Sequence, residues 1–335
     1  MHRWKTVFFV AIAAALLIGC GTQPQQSVED AFGEFREAIR EIETPEEKTA
    51  LCEEFLTQFP ESEHTRSLAG AVAYYRGEAM KDPAGAVEFL DGLLAKVEDP
   101  EMRFGVQMAQ FPLAEEIGQA KDLEGIVTEL EVHRALTFSE NLAVGEMAAG
   151  HELWSLAETR AVAASALATA DAYRSEYPDT ELSEGEVIAK ADNRSVMAAT
   201  NRGWALAHLD REAEALEVFE VAAPLSQSNY LGVPSTELFA YWGRTTLDQG
   251  DAERALELLG PTAVLGDNDK AFDAYREAYV AVHEDGSGFD DFLWSARQDL
   301  AKVVDDFELP DYEGALNHLG DARGKVVFLS FWFPT

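Results

Sequence analysis

The chain has two thiols, Cys20 and Cys52, so any sulfur chemistry must run through one of them. Cys52 shares an apolar helix face with Leu51, Phe55 and Leu56, which predicts a buried, inert thiol. The seven histidines are scattered. His151-Glu152-Leu153-Trp154-Ser155 starts like a zinc-binding helix but lacks the second histidine that would complete the ligand face. Asp267-Asn268-Asp269 and Asp285-Gly286-Ser287-Gly288 lack the alternating oxygen ligands and closing glutamate of a calcium loop, so both are expected to be turns. The acidic pairs Glu46-Glu47, Glu53-Glu54 and Glu115-Glu116 read as solvated helix faces. Trp154, Trp204, Trp242 and Trp294 are expected in a packed core rather than on a ligand platform. No glycine-rich phosphate loop occurs. The residues between the termini thus offer no catalytic, cofactor-binding or metal-binding constellation, and no cofactor is expected.

Cys20 is different. His2, Arg3 and Lys5 precede a mostly apolar run from Thr6 to Ile18, too short to span a bilayer at ~20 residues and better matched to a signal peptide. The run ends in Leu17-Ile18-Gly19-Cys20, which resembles the bacterial lipobox. That resemblance implies cleavage before Cys20, a diacylglycerol thioether on its sulfur and acylation of the new N-terminus. Several acyl chains, at ~0.8 kcal/mol per buried methylene, hold a protein stably on a membrane. Residues 1–19 are then the signal and 20–27 a lipidated tether, which places the protein in a bacterial cell envelope, facing the periplasm or the exterior. With Cys20 lipidated, no internal disulfide can form.

The other end carries the second resemblance. Gly324-Lys325-Val326-Val327-Phe328-Leu329-Ser330-Phe331-Trp332-Phe333-Pro334-Thr335 reads as one buried strand, apolar on both faces as in a sheet covered by helices. Upstream, Asp306 to Gly314 gives a short strand and a turn, and Leu316 to Arg323 a second short segment. This order resembles the start of a thioredoxin-like redoxin domain, specifically the membrane-anchored thiol-disulfide reductases of the TlpA type. In that family Phe-Trp leads within a few residues to a Cys-x-x-Cys pair at a helix N-terminus, where unpaired N–H groups and the macrodipole lower the thiol pKa. Here the first cysteine would follow Thr335. The resemblance therefore implies that residues 305–335 are a redoxin domain truncated before its catalytic cysteines.

Between the ends, residues 28–304 read as helix after helix. Apolar residues recur at helical spacing at Phe32, Phe35, Ile39 and Ile42, then at Leu51, Phe55, Leu56 and Phe59. Pro45, Pro60, Pro83, Pro100, Pro112, Pro178, Pro224, Pro234 and Pro261 punctuate the run, and no strand is expected before Phe307. Gly203, Ala215 and Phe219 recur as Gly243, Ala255 and Leu259, each 40 residues later. The helix end Phe55-x-x-x-Phe59-Pro60 recurs as Tyr173-x-x-x-Tyr177-Pro178, an offset of 118 that is near three such periods. These positions resemble those of tetratricopeptide helix pairs, Gly203 and Ala215 allowing close approach within a pair and Phe219 filling the gap to the next. Such an array implies a concave surface for a peptide or protein partner.

A formal net charge of −35 over 335 residues excludes a nucleic-acid backbone or an anionic lipid surface as partner. The expected architecture is mainly α, a tetratricopeptide-like helical-repeat array followed by the first β segments of an incomplete thioredoxin-like α/β domain. The expected function is that of a lipid-anchored thiol-disulfide oxidoreductase with a protein substrate or partner, this chain alone being inactive. The alternative is a noncatalytic helical-repeat lipoprotein that acts as a protein-binding scaffold.

Overall fold

Side-chain caps and prolines set where most helices begin. The computed structural model describes residues 27–119, 121–226, 235–265, 268–300, 305–310 and 313–324. Cys20 and residues 325–335 lie outside them. The chain forms two compact units that part between Glu140 and Asn141.

In the first unit, α1 (Val28–Glu41) is capped by Ser27 and α2 (Pro45–Gln58) by Thr44, with Pro45 in the first turn, where its missing N–H costs nothing. α3 (Thr65–Val72) runs on into a π-helical segment, Ala73–Ala79. Then α4 (Pro83–Leu94), α5 (Pro100–Glu116) and α6 (Leu123–Glu131) start behind Asp82, Asp99 and Asp122, whose carboxylates accept from the next free backbone N–H groups. Phe35, Cys52, Phe55, Leu56, Val72 and Leu90 form one core, so the helical spacing expected of α1 and α2 is realised. Cys52 is fully enclosed there, and burial, with Glu53 adding, pushes its thiol up to about 11. Pro112 departs from expectation. It ends no helix but lies inside α5, removing one donor to the carbonyl four residues back.

The second unit is built from hairpins. Its helices are α7 (Phe138–Gly150), α8 (Trp154–Ala166), α9 (Ala170–Glu176), α10 (Glu184–His208), α11 (Glu212–Ala222), α12 (Thr236–Asp248), α13 (Ala252–Leu265), α14 (Asp269–His283) and α15 (Phe289–Leu300). The pairs α7/α8, α10/α11 and α12/α13 share one turn. Three residues link the helices, and the middle one, Glu152, Asp210 or Gly250, adopts the left-handed conformation at φ 59°, 56° or 87°. The next residue donates its N–H to the carbonyl five back: Leu153 to Ala148 at 2.8 Å, Arg211 to Leu206 at 3.0 Å, Asp251 to Thr246 at 3.2 Å. This closes the helix C-terminus as a Schellman-type cap does.

Seven residues before each left-handed residue stands a glycine, Gly145, Gly203 or Gly243, and five after it a buried alanine, Ala157, Ala215 or Ala255. A Cβ on Gly203 would lie 2.4 Å from the Phe219 ring, and one on Gly243 would lie 2.3 Å from Leu259. The large side chain therefore sits on the glycine of its own pair, in addition to the expected place of Phe219 in the gap to the next. It does both, since Phe219 also shares a core with Leu238 of α12. The glycines are 58 and then 40 residues apart, so the repeat has no fixed period. The 25-residue α10 and the interposed α9 account for the wider gap.

The two aromatic helix ends match in detail. Phe59 and Tyr177 have nearly the same backbone conformation, each donates its N–H to the residue four back at 2.9 Å, and the ring pairs lie 5.1 and 4.9 Å apart. Pro261, like Pro112, lies inside a helix, here α13. Asp285-Gly286-Ser287-Gly288 is a turn, Asp285 accepting from the Ser287 N–H at 2.7 Å, while Asn268 caps α14. After the helices, β1 (Glu308–Pro310) pairs antiparallel with β2 (Leu316–His318), Leu309 facing Asn317, and one 3-10 turn, Leu319–Ala322, follows. The described residues are thus mainly helical, with tetratricopeptide-like hairpins and a small two-stranded sheet at the end.

Candidate partner-binding face

The shared turn fixes which face of each first helix is left uncovered. In α7, α10 and α12 the glycine and its neighbours face the second helix of the pair. One residue past the glycine, Glu146, Trp204 and Arg244 stand at equivalent positions. Four residues further come Gly150, His208 and Asp248, and two before the glycine, Asn201 and Tyr241. One turn of helix separates successive positions, so these side chains form a ladder along one face.

Several rungs meet. The Trp204 and Tyr241 rings stack at 4.3 Å and 12°. His208 stacks on Trp154 at 3.9 Å and takes the edge of Trp204 at 4.4 Å. Burial lowers the His208 pKa, although Asp248 and Glu152 pull the other way. Lys270, from the second residue of α14, lies 5.4 Å over the Tyr241 ring and 3.4 Å from its hydroxyl. Arg244 pairs with Asp248 one turn on, at 2.9 Å, and with Glu277 of α14.

A depression of about 260 Å³ is lined by Glu146, Gly150, Asn201, Trp204, Tyr241 and Lys270. A second, of about 220 Å³, shares Tyr241 and Lys270 with it and adds Glu237, Asn268 and Asp269. The Glu146 pKa is raised, first by burial and further by the negative charge of Glu237, with Asn201 opposing as a hydrogen-bond donor. The Asn201 amide nitrogen is shielded from solvent without a well-formed hydrogen bond. The arrangement offers flat aromatic surface, carboxylates and one ammonium.

Sequence reasoning placed Trp204 in the core, and the structure puts it on this face. Trp204 follows Gly203, and one step along a helix turns a side chain by about a quarter of a circle. Trp154 and Trp242 are half-buried, and Trp294 is 61% exposed on α15. The signal for the face was present: once Gly203 and Gly243 are aligned, Trp204/Arg244 and His208/Asp248 follow by counting.

No family model matches the chain, and no curated protein matches it. Among solved structures it is similar to a tetratricopeptide repeat protein from Parabacteroides merdae, 12% identical over 76% of this chain and 100% of that one, with a TM-score of 0.33. It is also similar to the TPR2AB-domain:pHSP90 complex of yeast Sti1, 13% identical over 81% of this chain and 95% of that one, with a TM-score of 0.22. The tetratricopeptide-like character rests on the hairpins themselves.

Proposed function

We propose that the chain is an exported, lipid-anchored helical-repeat protein whose second unit docks an extended segment of a partner protein. One observation carries the reading: side chains at equivalent positions of successive hairpins, Glu146, Asn201, Trp204 and Tyr241, line adjoining depressions beside a stacked ring pair. A face built by repetition suits a ligand that is itself repetitive, an extended chain presenting groups at regular intervals. Selecting a displayed random-peptide library on the full chain tests this. Enriched segments should lose binding to Trp204→Ala/Tyr241→Ala with the helical circular dichroism signal intact. Segments that bind the double variant equally well refute the site. Anchoring through Cys20 is tested by Cys20→Ser, which should move the protein from the membrane to the soluble fraction.

A second reading keeps the thiol-disulfide function. It is favoured by the β1–β2 hairpin and the 3-10 turn Leu319–Ala322, which come in the order that the resemblance to a redoxin start requires. On this reading the array presents a thiol or disulfide protein to a redox domain whose cysteines lie beyond Thr335. Sequencing the coding DNA past the Thr335 codon tests it, and a frame continuing without Cys-x-x-Cys refutes it.

A further inference from the structure

The two matching aromatic helix ends differ in what covers them. In the first unit α1 lies on the pair: the Phe55 ring meets Phe32 at 5.7 Å and Phe35 at 5.5 Å, while Phe59 is 5.1 Å away. The carboxylates that follow are engaged within the unit, Glu61 by the Glu98 N–H and Glu63 by the His64 ring nitrogen. In the second unit Tyr173, Tyr177 and Pro178 stand where Phe55, Phe59 and Pro60 do. The helix α9 buries none of its residues, and Tyr177, which ends it, is 43% exposed. The Arg194 guanidinium lies 4.7 and 5.6 Å from the two ring centroids and pairs with Glu176 at 2.7 Å. It does not line the depression of about 420 Å³ that opens on the rings, which is bounded by Tyr173, Glu176, Tyr177, Pro178, Asp179 and Thr180. Asp179 and Glu181, the counterparts of Glu61 and Glu63, are exposed and form no ion pair among the described residues.

We propose that this ledge on α9 docks an amphipathic helix of a partner protein, basic at its margins and carrying two aromatic side chains one turn apart. The first unit shows the kind of occupant, since its equivalent rings are covered by a helix that brings Phe32 and Phe35 to the same ring. Side chains three residues apart fall on one helix face, and setting two rings on Tyr173, Tyr177 and Pro178 removes apolar surface from water on both sides. The charge follows from what the two sites do not share. The chain engages Glu61 and Glu63 itself but leaves Asp179 and Glu181 open, so lysine or arginine beside the aromatic face completes them. An acidic helix, such as α1 itself, would be repelled. The site shares no residue with the ladder on α7, α10 and α12 and adds a second docking surface to it.

The probe is a blocked peptide of residues 27–42 with its exposed acids exchanged, Glu29→Lys, Asp30→Lys, Glu34→Lys, Glu37→Lys and Glu41→Lys, titrated calorimetrically into the full chain. Saturable one-site binding is expected, weakened about tenfold or more by Tyr177→Ala and by Asp179→Lys/Glu181→Lys. Binding should be lost when the peptide also carries Phe32→Ala/Phe35→Ala. Glu217→Lys/Glu220→Lys makes the same charge change on an exposed stretch of α11 and should leave affinity unchanged. Equal loss in that control would mean diffuse attraction to an acidic protein and would overturn the proposal. So would binding indifferent to Tyr177→Ala, equal binding of the peptide without its rings, tighter binding of the unexchanged acidic peptide, or no binding. A dimer of the chain that Tyr177→Ala dissociates would also overturn it, by giving the ledge to a second copy. The docking reading above is judged separately, by whether segments selected from the random library need Trp204 and Tyr241.

Discussion

Replacing Gly203 with alanine should destabilise the chain, although alanine is the better helix former. The added Cβ would sit 2.4, 2.5 and 2.9 Å from three Phe219 ring carbons, against the ~3.5–4.0 Å at which carbon pairs rest. The ring must retreat by roughly 1 Å, and Phe219 is fully buried. Overpacking of this kind costs about 1–3 kcal/mol. The helix-propensity gain returns ~1 kcal/mol, leaving a net loss of up to roughly 2 kcal/mol. Urea unfolding followed by far-UV circular dichroism reads it. Two controls lie within the molecule. A Cβ on Gly185, in the same helix, meets nothing within 4 Å, so Gly185→Ala should be neutral or slightly stabilising. Gly145 occupies the equivalent place in the α7/α8 hairpin, but Ala161 replaces the large side chain and the nearest contact would be 3.5 Å, so Gly145→Ala should also be tolerated. Phe219→Ala will itself cost ~3–5 kcal/mol, yet on that background Gly203→Ala should cost nothing further. If Gly203→Ala stabilises the wild type, or costs the same with and without Phe219, the glycine is not there to admit the ring and the account of the hairpin fails.

Glu140 is 4% exposed; burial pushes its carboxyl up, but hydrogen bonds from Arg134, the Thr137 N–H and Arg66 outweigh it and hold the pKa at about 2. A depressed carboxylate contributes above its unfolded pKa, near 4.5, and the contribution fades as pH falls toward 2. It amounts to roughly 3 kcal/mol, so Glu140→Gln should be less stable by about that much at neutral pH and the gap should close in acid, as unfolding curves across that range would show. The Cys52 thiol, pushed up to about 11, should resist an aromatic disulfide reagent in the native chain and react once denatured; dithiothreitol should leave the melting temperature unchanged. At the left-handed turn position, Glu152→Gly should gain up to ~1 kcal/mol and Gly250→Ala should lose about as much, opposite signs that thermal melts resolve.

The α10/α11 and α12/α13 hairpins were legible because a glycine opposite a large residue, with an alanine between, leaves a pattern that survives in one dimension. The α7/α8 hairpin was not. Ala161 erases the large member, and the 25-residue α10 shifts the spacing to 58. Pro112 and Pro261 misled for a local reason, since proline usually ends a helix but a helix held by neighbours on its other side can absorb one missing bond. The face was hardest to see. Packing constrains volume and so marks the sequence with small and large residues, whereas Glu146, Asn201, Trp204 and Tyr241, on the face proposed to dock a partner, share no common type. Trp204 shows the ambiguity, as one aromatic residue fits either role until its neighbour's contact fixes the direction in which it points.

The repeated turn has a consequence for how such a protein can change. Its demands are met within a few residues: one left-handed linker, one capping bond and one glycine facing its own partner helix. The uncovered side of the same helix contributes to none of them. If the proposed docking holds, folding and recognition are written on opposite sides of one element, and the positions held by Glu146, Trp204 and Arg244 can be rewritten for a new ligand while the scaffold beneath stays as it is.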